Sequence, residues 1–278
     1  MVKLTTPVSI PQFPFGFSLK DKIVVLGSCL CDELGAKFID GGFETMVNPF
    51  GTLYNPLSVE NAIKRLDCAQ PYTSEDCVQM GAGANLVCSF EHYTKFARPT
   101  ADEFLAGANA ALAEASGFWK RADVVIVSLY TACIWEHGGH VVANCLKRPA
   151  SEFNRRMLGV DEVRSAVYRM VKAHPDKRFL WMVCPIRQAA SMRENTLSKA
   201  TLHLGLDGAA YFPAFEIVHD ELRDYRFYAD DLLHPAPAAL QILWERLIGS
   251  MDPEEADLIA ANEKESNANR HRSICQKN

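Results

Sequence analysis

The sequence has no long apolar run, no surplus of positive charge, no glycine- or serine-rich linker and no internal repeat. Each absence removes a class of protein. Its longest apolar stretches, such as Val124–Val127 and Phe179–Ile186, fall far short of the ~20 residues that a membrane-crossing helix needs. The opening MVKLTTPVSIPQFPFGF carries three prolines and no unbroken apolar core, so it is not read as a signal peptide. With 29 basic against 34 acidic residues the net charge is −5, which gives no footprint for nucleic acid or an anionic membrane. Nothing resembles a P-loop, a dinucleotide fingerprint or a His-rich metal site, so neither metal nor organic cofactor is expected. The nine cysteines (Cys29, Cys31, Cys68, Cys77, Cys88, Cys133, Cys145, Cys184, Cys275) are odd in number and scattered, several within apolar runs. They read as reduced, mostly buried thiols of a cytoplasmic protein. Cys29 and Cys31 have no second pair to complete a zinc set. A content of 48% hydrophobic and 23% charged residues excludes collagen-like, coiled-coil and fully disordered chains.

What is present is an alternation. Ile23–Leu26, Asp123–Leu129 and Phe179–Cys184 are short, β-branched or apolar runs that read as buried strands. Between them lie amphipathic segments predicted as helices: Cys29–Ile39, Ser58–Leu66 with Ser58 as cap, Ala101–Trp119, Val160–Val171 and Ser191–Leu204. Tyr211–Val218 reads as a further strand, and Pro235 as the start of a last helix. Buried strands alternating with helices predict a three-layer α/β/α fold with a mostly parallel sheet of flavodoxin-like order. One domain is expected over 1–262, with 263–278 as a polar, mobile tail. In such sheets the sites lie at the C-terminal ends of strands.

Two motifs stand out, the first of them at such a place. Gly27-Ser28-Cys29 puts a hydroxyl directly after the first strand, beside the free N–H groups of a helix start. Ser28 there is either a helix cap or a nucleophile. Asp231-Leu232-Leu233-His234-Pro235 precedes the last helix. A serine needs a base, and an imidazole needs a carboxylate to fix its tautomer; in isolation the same spacing is also that of a helix-start Asp and a surface His.

Taken together, the motifs lay out the chain as SGNH-type esterases do. More narrowly, the sequence resembles the GSCFA family, named for a Gly-Ser-Cys-Phe-Ala opening that reads Gly27-Ser28-Cys29-Leu30-Cys31 here. The resemblance runs through Asn48–Pro56, Val142–Pro149, Asn195–Leu202, Tyr211–Glu216 and Asp220–Tyr228 to Asp231–Pro235. Three blocks depart from the family pattern. Leu146 stands where Asn-Cys-His-Lys has histidine, Cys184-Pro185-Ile186-Arg187-Gln188 replaces Ser-Pro-Val-Arg-His, and Leu129-Tyr130-Thr131 replaces Leu-Gly-Thr.

The family is similar to SGNH and PC-esterase hydrolases, which remove acyl groups, often acetyl, from carbohydrates. The resemblance therefore implies a serine esterase acting on a small-molecule acyl ester, a saccharide ester being the guess, without nucleic-acid or membrane partners. Ser28 would attack, His234 act as base and Asp231 orient it, with Asp230 as rival. The oxyanion would be held by the backbone N–H groups of Ser28 and Gly51 and by the Asn48 amide; Asn48 is otherwise a turn residue. His92, Asn144, Arg187 and Asn195 are candidate substrate contacts, each with a structural alternative, and Lys147 and Lys199 are weaker candidates. Tyr225, Phe227 and Tyr228 form either a sugar-stacking wall or sheet-edge packing. A cysteine nucleophile (Cys29 or Cys31, near a helix start that can depress a thiol pKa), acyl transfer to an acceptor other than water, and a silent carbohydrate- or lipid-binding module are the alternatives.

Overall fold

A computed structural model describes residues 5–188, 191–251 and 253–275. In chain order the first half contains β1 (Lys22–Gly27), α1 (Cys29–Asp40), β2 (Glu44–Val47), α2 (Pro56–Cys68), β3 (Val78–Gln79), β4 (Val87–Cys88) and α3 (Ala101–Trp119). Next come β5 (Val124–Leu129), β6 (Cys133–His137), β7 (His140–Val142), β8 (Asn154–Met157), α4 (Val160–Ala173) and β9 (Arg178–Val183). The chain continues with α5 (Met192–Gly205), α6 (Ala214–Glu216), a π-helical turn (Ile217–Glu221), α7 (Pro237–Ile248) and α8 (Pro253–Cys275). The central sheet runs β2-β1-β5-β9, parallel throughout.

The continuous apolar runs arise because both faces of this sheet are covered. Val24, Leu26, Val125, Val127, Phe179 and Trp181 point into one core with α2, α3 and α4. Their neighbours Ile23, Val25, Val124, Ile126, Leu180 and Met182 point into the other with α1 and α7, as the two-residue period of a strand requires. The result is the expected α/β architecture with a mostly parallel sheet between helical layers. Two small antiparallel sheets, β3-β4 and β7-β6-β8, are excursions from it.

Four local expectations are corrected. The second helix starts at Pro56 and not at Ser58, because the Asn55 side chain takes the Ser58 N–H at 2.8 Å and Pro56 occupies the first turn. Tyr211–Val218 is not a strand. Tyr211 makes a single parallel bridge to Trp181, after which Pro213 cannot donate to a ladder and the chain coils into α6 and the π-helical turn. The last-motif helix begins at Pro237, since Pro235 is held in a bridge with Tyr228. Finally, residues 263–275 continue α8, tied back by Lys37–Glu263 at 3.2 Å and Ser266–Asp40 at 2.8 Å; residues 276–278 lie outside the described residues.

One backbone contact fixes where the site forms. In a sheet of this order the crevice opens between β1 and β5, whose connections leave to opposite sides. Gly27 closes β1 with φ +129°, and a Cβ built on it would lie 2.2 Å from the Ser128 carbonyl oxygen on β5. Only glycine lets the strands approach this closely. Gly27→Ala should therefore lower stability by at least about 2 kcal/mol in urea unfolding. Gly107→Ala, on an open face of α3, should raise it by about 1 kcal/mol; equal effects would contradict the close-approach account.

Candidate active site

Ser28 stands at the N-cap of α1, yet its side chain makes no cap hydrogen bond. The residue is fully buried, and its Oγ lies 3.0 Å from Ser128 Oγ across the crevice. Its backbone N–H donates to the Ser128 carbonyl at 3.1 Å. That N–H is thus not open to an oxyanion, a correction to the sequence reading. The Gly51 N–H is likewise engaged, donating to the Asn48 carbonyl at 2.8 Å. Asn48 itself adopts a left-handed turn (φ 39°). Its Oδ1 accepts the Gly27 N–H at 2.9 Å while its Nδ2 donates to Asp32 Oδ1 at 2.8 Å. The amide therefore straps the Gly27 turn to α1, leaving one amide hydrogen beyond the Asp32 bond.

The C-terminal motif forms a compact acid–base pair. Asp231 Oδ1 accepts the N–H groups of Leu233 at 2.9 Å and His234 at 3.0 Å, and Oδ2 meets His234 Nδ1 at 2.6 Å. The two backbone donors, His234 first, and then the ring hold the Asp231 carboxyl down at about 2. Asp231, not Asp230, thus carries the ring contact. A carboxylate on Nδ1 places the ring proton there and leaves the Nε2 lone pair free to accept one. Among the described residues Nε2 has no hydrogen-bond partner.

The two chain ends meet. His234 and Pro235 line a small cavity of about 80 Å³ with Cys29, Leu30 and Glu33 of α1, Ile186 beyond β9 and Leu240 of α7. Cys29, next to Ser28, faces it; burial, and then Cys184, push its thiol up to about 11. Burial likewise raises the Cys31 thiol, so both cysteines are neutral thiols at neutral pH and the depression expected at a helix start is corrected. A wider hollow of about 800 Å³, lined by Phe13, Phe15, Arg178 and Leu258, lies at the other edge of the sheet and holds no part of the acid–base pair.

The remaining candidates divide. Arg187 follows β9 and touches the motif through its backbone, its N–H donating to the Leu233 carbonyl at 3.2 Å, while Tyr130 Oη reaches the Arg187 carbonyl at 3.5 Å. Its guanidinium contacts only Met192 Sδ, at 3.5 Å, and among the described residues no carboxylate pairs with it. Asn195 on α5 fixes the same loop by accepting the Gln188 N–H at 3.0 Å, a supporting position and not an exposed substrate contact. Asn144 closes a local turn through the Leu146 N–H at 2.8 Å. Leu146, at the departure from the family pattern, is buried in the core with φ 52°. His92 is fully buried among Phe50, Tyr72, Phe96 and Phe104, with Nδ1 2.7 Å from Ser89 Oγ and Nε2 unpaired. It is a core histidine that no substrate reaches in this arrangement. Tyr225 is exposed, whereas Phe227 and Tyr228 pack on the core, with Tyr228 Oη 3.3 Å from His219 Nδ1.

Two residues at the site carried little signal in the sequence. Ser128 is the one hydroxyl in the apolar run of β5. Lys199 is buried within α5, and its Nζ donates to the carbonyls of Tyr130 at 2.5 Å and Cys184 at 2.7 Å. No helix of the described residues is long and apolar enough to cross a membrane. Among them, no group of three or more His, Cys, Asp or Glu side chains is placed to hold a metal ion.

A serine at the end of β1, and an imidazole–carboxylate pair at a cavity that the following Cys29 lines, define an α/β protein with its candidate site at the carboxyl edge of a parallel sheet. The chain belongs to the GSCFA family, whose model matches residues 22–247. Among curated proteins none matches the chain.

The burial of His92 gives a pH test. Burial pushes its pKa down to about 4, below the ordinary value near ~6.5. The folded state stays neutral where the unfolded state takes a proton, so stability is lost as pH falls from about 6.5 to about 4. This group alone contributes up to about 3 kcal/mol of that loss. His92→Phe should narrow the difference in urea-unfolding free energy between pH values of about 7 and about 4.5; an unchanged difference would show that His92 is not the neutral buried group.

Proposed function

We propose that this GSCFA protein is a serine acyl hydrolase of the SGNH kind, acting on a small ester, with acetylated saccharides as the substrate class to test first. The observation that carries the reading is the Asp231–His234 pair, its Nε2 unpaired, at a cavity that the residue next to Ser28 also lines. On this reading the Ser28 hydroxyl turns from Ser128 toward the cavity, and His234 Nε2 takes its proton as Oγ attacks the ester carbonyl. The tetrahedral intermediate collapses when the C–O bond to the alcohol breaks and His234 returns the proton to that oxygen. Water, deprotonated by the same nitrogen, then releases the acyl group as an acid and restores the serine. Asp231 stays ionised throughout and balances the imidazolium. The small cavity, walled by Leu30, Ile186 and Leu240, favours a short acyl chain.

A second reading rests on one fact: Cys29 lines the His234 cavity and Ser28 does not. The thiol would then attack, giving a thioester in place of an ester. The raised Cys29 pKa works against it, because the thiolate is the nucleophile.

A fluorophosphonate probe and p-nitrophenyl acetate separate these. Ser28→Ala should abolish labelling and lower turnover by about 10³-fold or more, with His234→Ala comparable and Cys29→Ala near wild type. Equal labelling of wild type and Ser28→Ala would overturn the serine reading. Loss confined to Cys29→Ala would establish the thiol.

A further inference from the structure

The carboxyl edge of the sheet holds a buried cation, Lys199. Lys199 is 2% exposed. Among the described residues its ammonium bonds only the carbonyls of Tyr130 and Cys184, which follow β5 and β9, and it lies 4.5 Å from the centre of the Tyr130 ring. Among the described residues no carboxylate lies within ion-pair distance of it. Stapling these strand exits does not require a charge. The preceding residue, Ser198, staples the same β5 exit with a hydroxyl, taking the Ala132 N–H at 2.8 Å and meeting Thr131 Oγ1 at 3.0 Å. Burying an unpaired ammonium is costly, so a neutral donor would serve a purely structural tie at less cost.

The backbone N–H groups of Ser28 and Gly51 are occupied, which leaves the second Asn48 amide hydrogen as the free donor of that set, and a buried cation at the same strand exits adds positive potential for the negative charge that develops during acyl transfer. Lys199 holds the Cys184 carbonyl, and two residues further on Ile186 lines the His234 cavity. We propose that Lys199 is a positioning residue of the acyl-transfer site: its ammonium pins the exits of β5 and β9 and holds a positive potential over the Cys29–His234 cavity, where a substrate carbonyl oxygen becomes anionic. This inference rests on the hydrolase reading above.

The groups around Lys199 are the thiols of Cys184 and Cys29, the Tyr130 phenol, His203 on its own helix, and His219 of the π-helical turn, on which Arg187 also acts. Glu216 is already engaged by Tyr211 at 2.8 Å and lies 3.6 Å from His203. Burial pushes Lys199 down to about 8, while burial pushes Cys29 up to about 11 and Tyr130 up to about 12. Burial also lowers His203 and His219. Lys199 thus loses its charge at a pH where Cys29 and Tyr130 keep their protons. Above about 8 the unfolded chain keeps the proton that the folded chain has lost, so stability rises with pH while the site loses its potential.

The test uses the full chain, p-nitrophenyl acetate and the variant Lys199→Met. At about pH 7 the variant should lose about tenfold or more in kcat with KM little changed. Wild-type kcat should fall toward the variant's as pH rises from about 7 to about 9.5, where the variant's profile is flat. Over about pH 8–10 wild type should gain urea resistance relative to the variant. A variant with wild-type kcat, or with the same alkaline decline, overturns the proposal. If Lys199→Met does not fold, the wild-type profile decides, and a kcat that does not fall over that range overturns it. If turnover proves independent of Ser28, it is the hydrolase reading that fails. The buried charge is then judged by unfolding alone, and parallel pH dependence in the two proteins rejects it.

Discussion

The close approach of β1 and β5 at Gly27 is the constraint on which the site depends. It brings the Ser128 carbonyl onto the Ser28 N–H and the Ser128 hydroxyl onto Ser28 Oγ, which is why a serine at a helix N-cap leaves its own helix uncapped. Asn48 holds the turn from the other side by taking the Gly27 N–H and donating to Asp32. With the strand end pinned on both flanks, α1 starts from a fixed point, and Cys29, Leu30 and Glu33 are presented to the loop that carries His234. A side chain at position 27 would push the two strands apart and open that arrangement from its base.

Polar economy explains the rest of the edge. The strand exits leave carbonyls and N–H groups that no ladder satisfies, and α5 supplies partners in succession through Asn195, Ser198 and Lys199. Asparagine and serine achieve this at small cost. The lysine does not: depression of its pKa to about 8 corresponds to about 3 kcal/mol of folding free energy at neutral pH. A feature that expensive within a marginally stable fold is the kind that sites retain and cores discard.

The sequence made the sheet legible because β1, β5 and β9 are buried on both faces, so each appears as an unbroken apolar run. The helices followed from their periodicity. The Asp231–His234 contact was also readable, since a carboxylate three residues before a histidine can reach both its N–H and its ring. Other features depend on distant partners and left no local trace. The N–H groups of Ser28 and Gly51 looked free until Ser128 and Asn48 were placed beside them. His92 was read as a candidate substrate contact, yet four aromatic side chains from separate segments enclose it. The last helix has a polar composition that reads as a tail. Ile259 in the core and bonds from Asn262, Glu263 and Ser266 to the α1 end hold it in place. Tyr211 lost its strand to Pro213, a local signal that the apolar pattern around it outweighed.

On the proposed reading, the hydroxyl at the end of β1 is the atom that takes the acyl group. Peptide fragmentation after rapid quenching of the protein with an excess of p-nitrophenyl acetate tests it directly. A single acetyl group is expected on Ser28. An acetyl group on Cys29, or an unmodified Ser28–Cys29 pair while ester is being consumed, would contradict it.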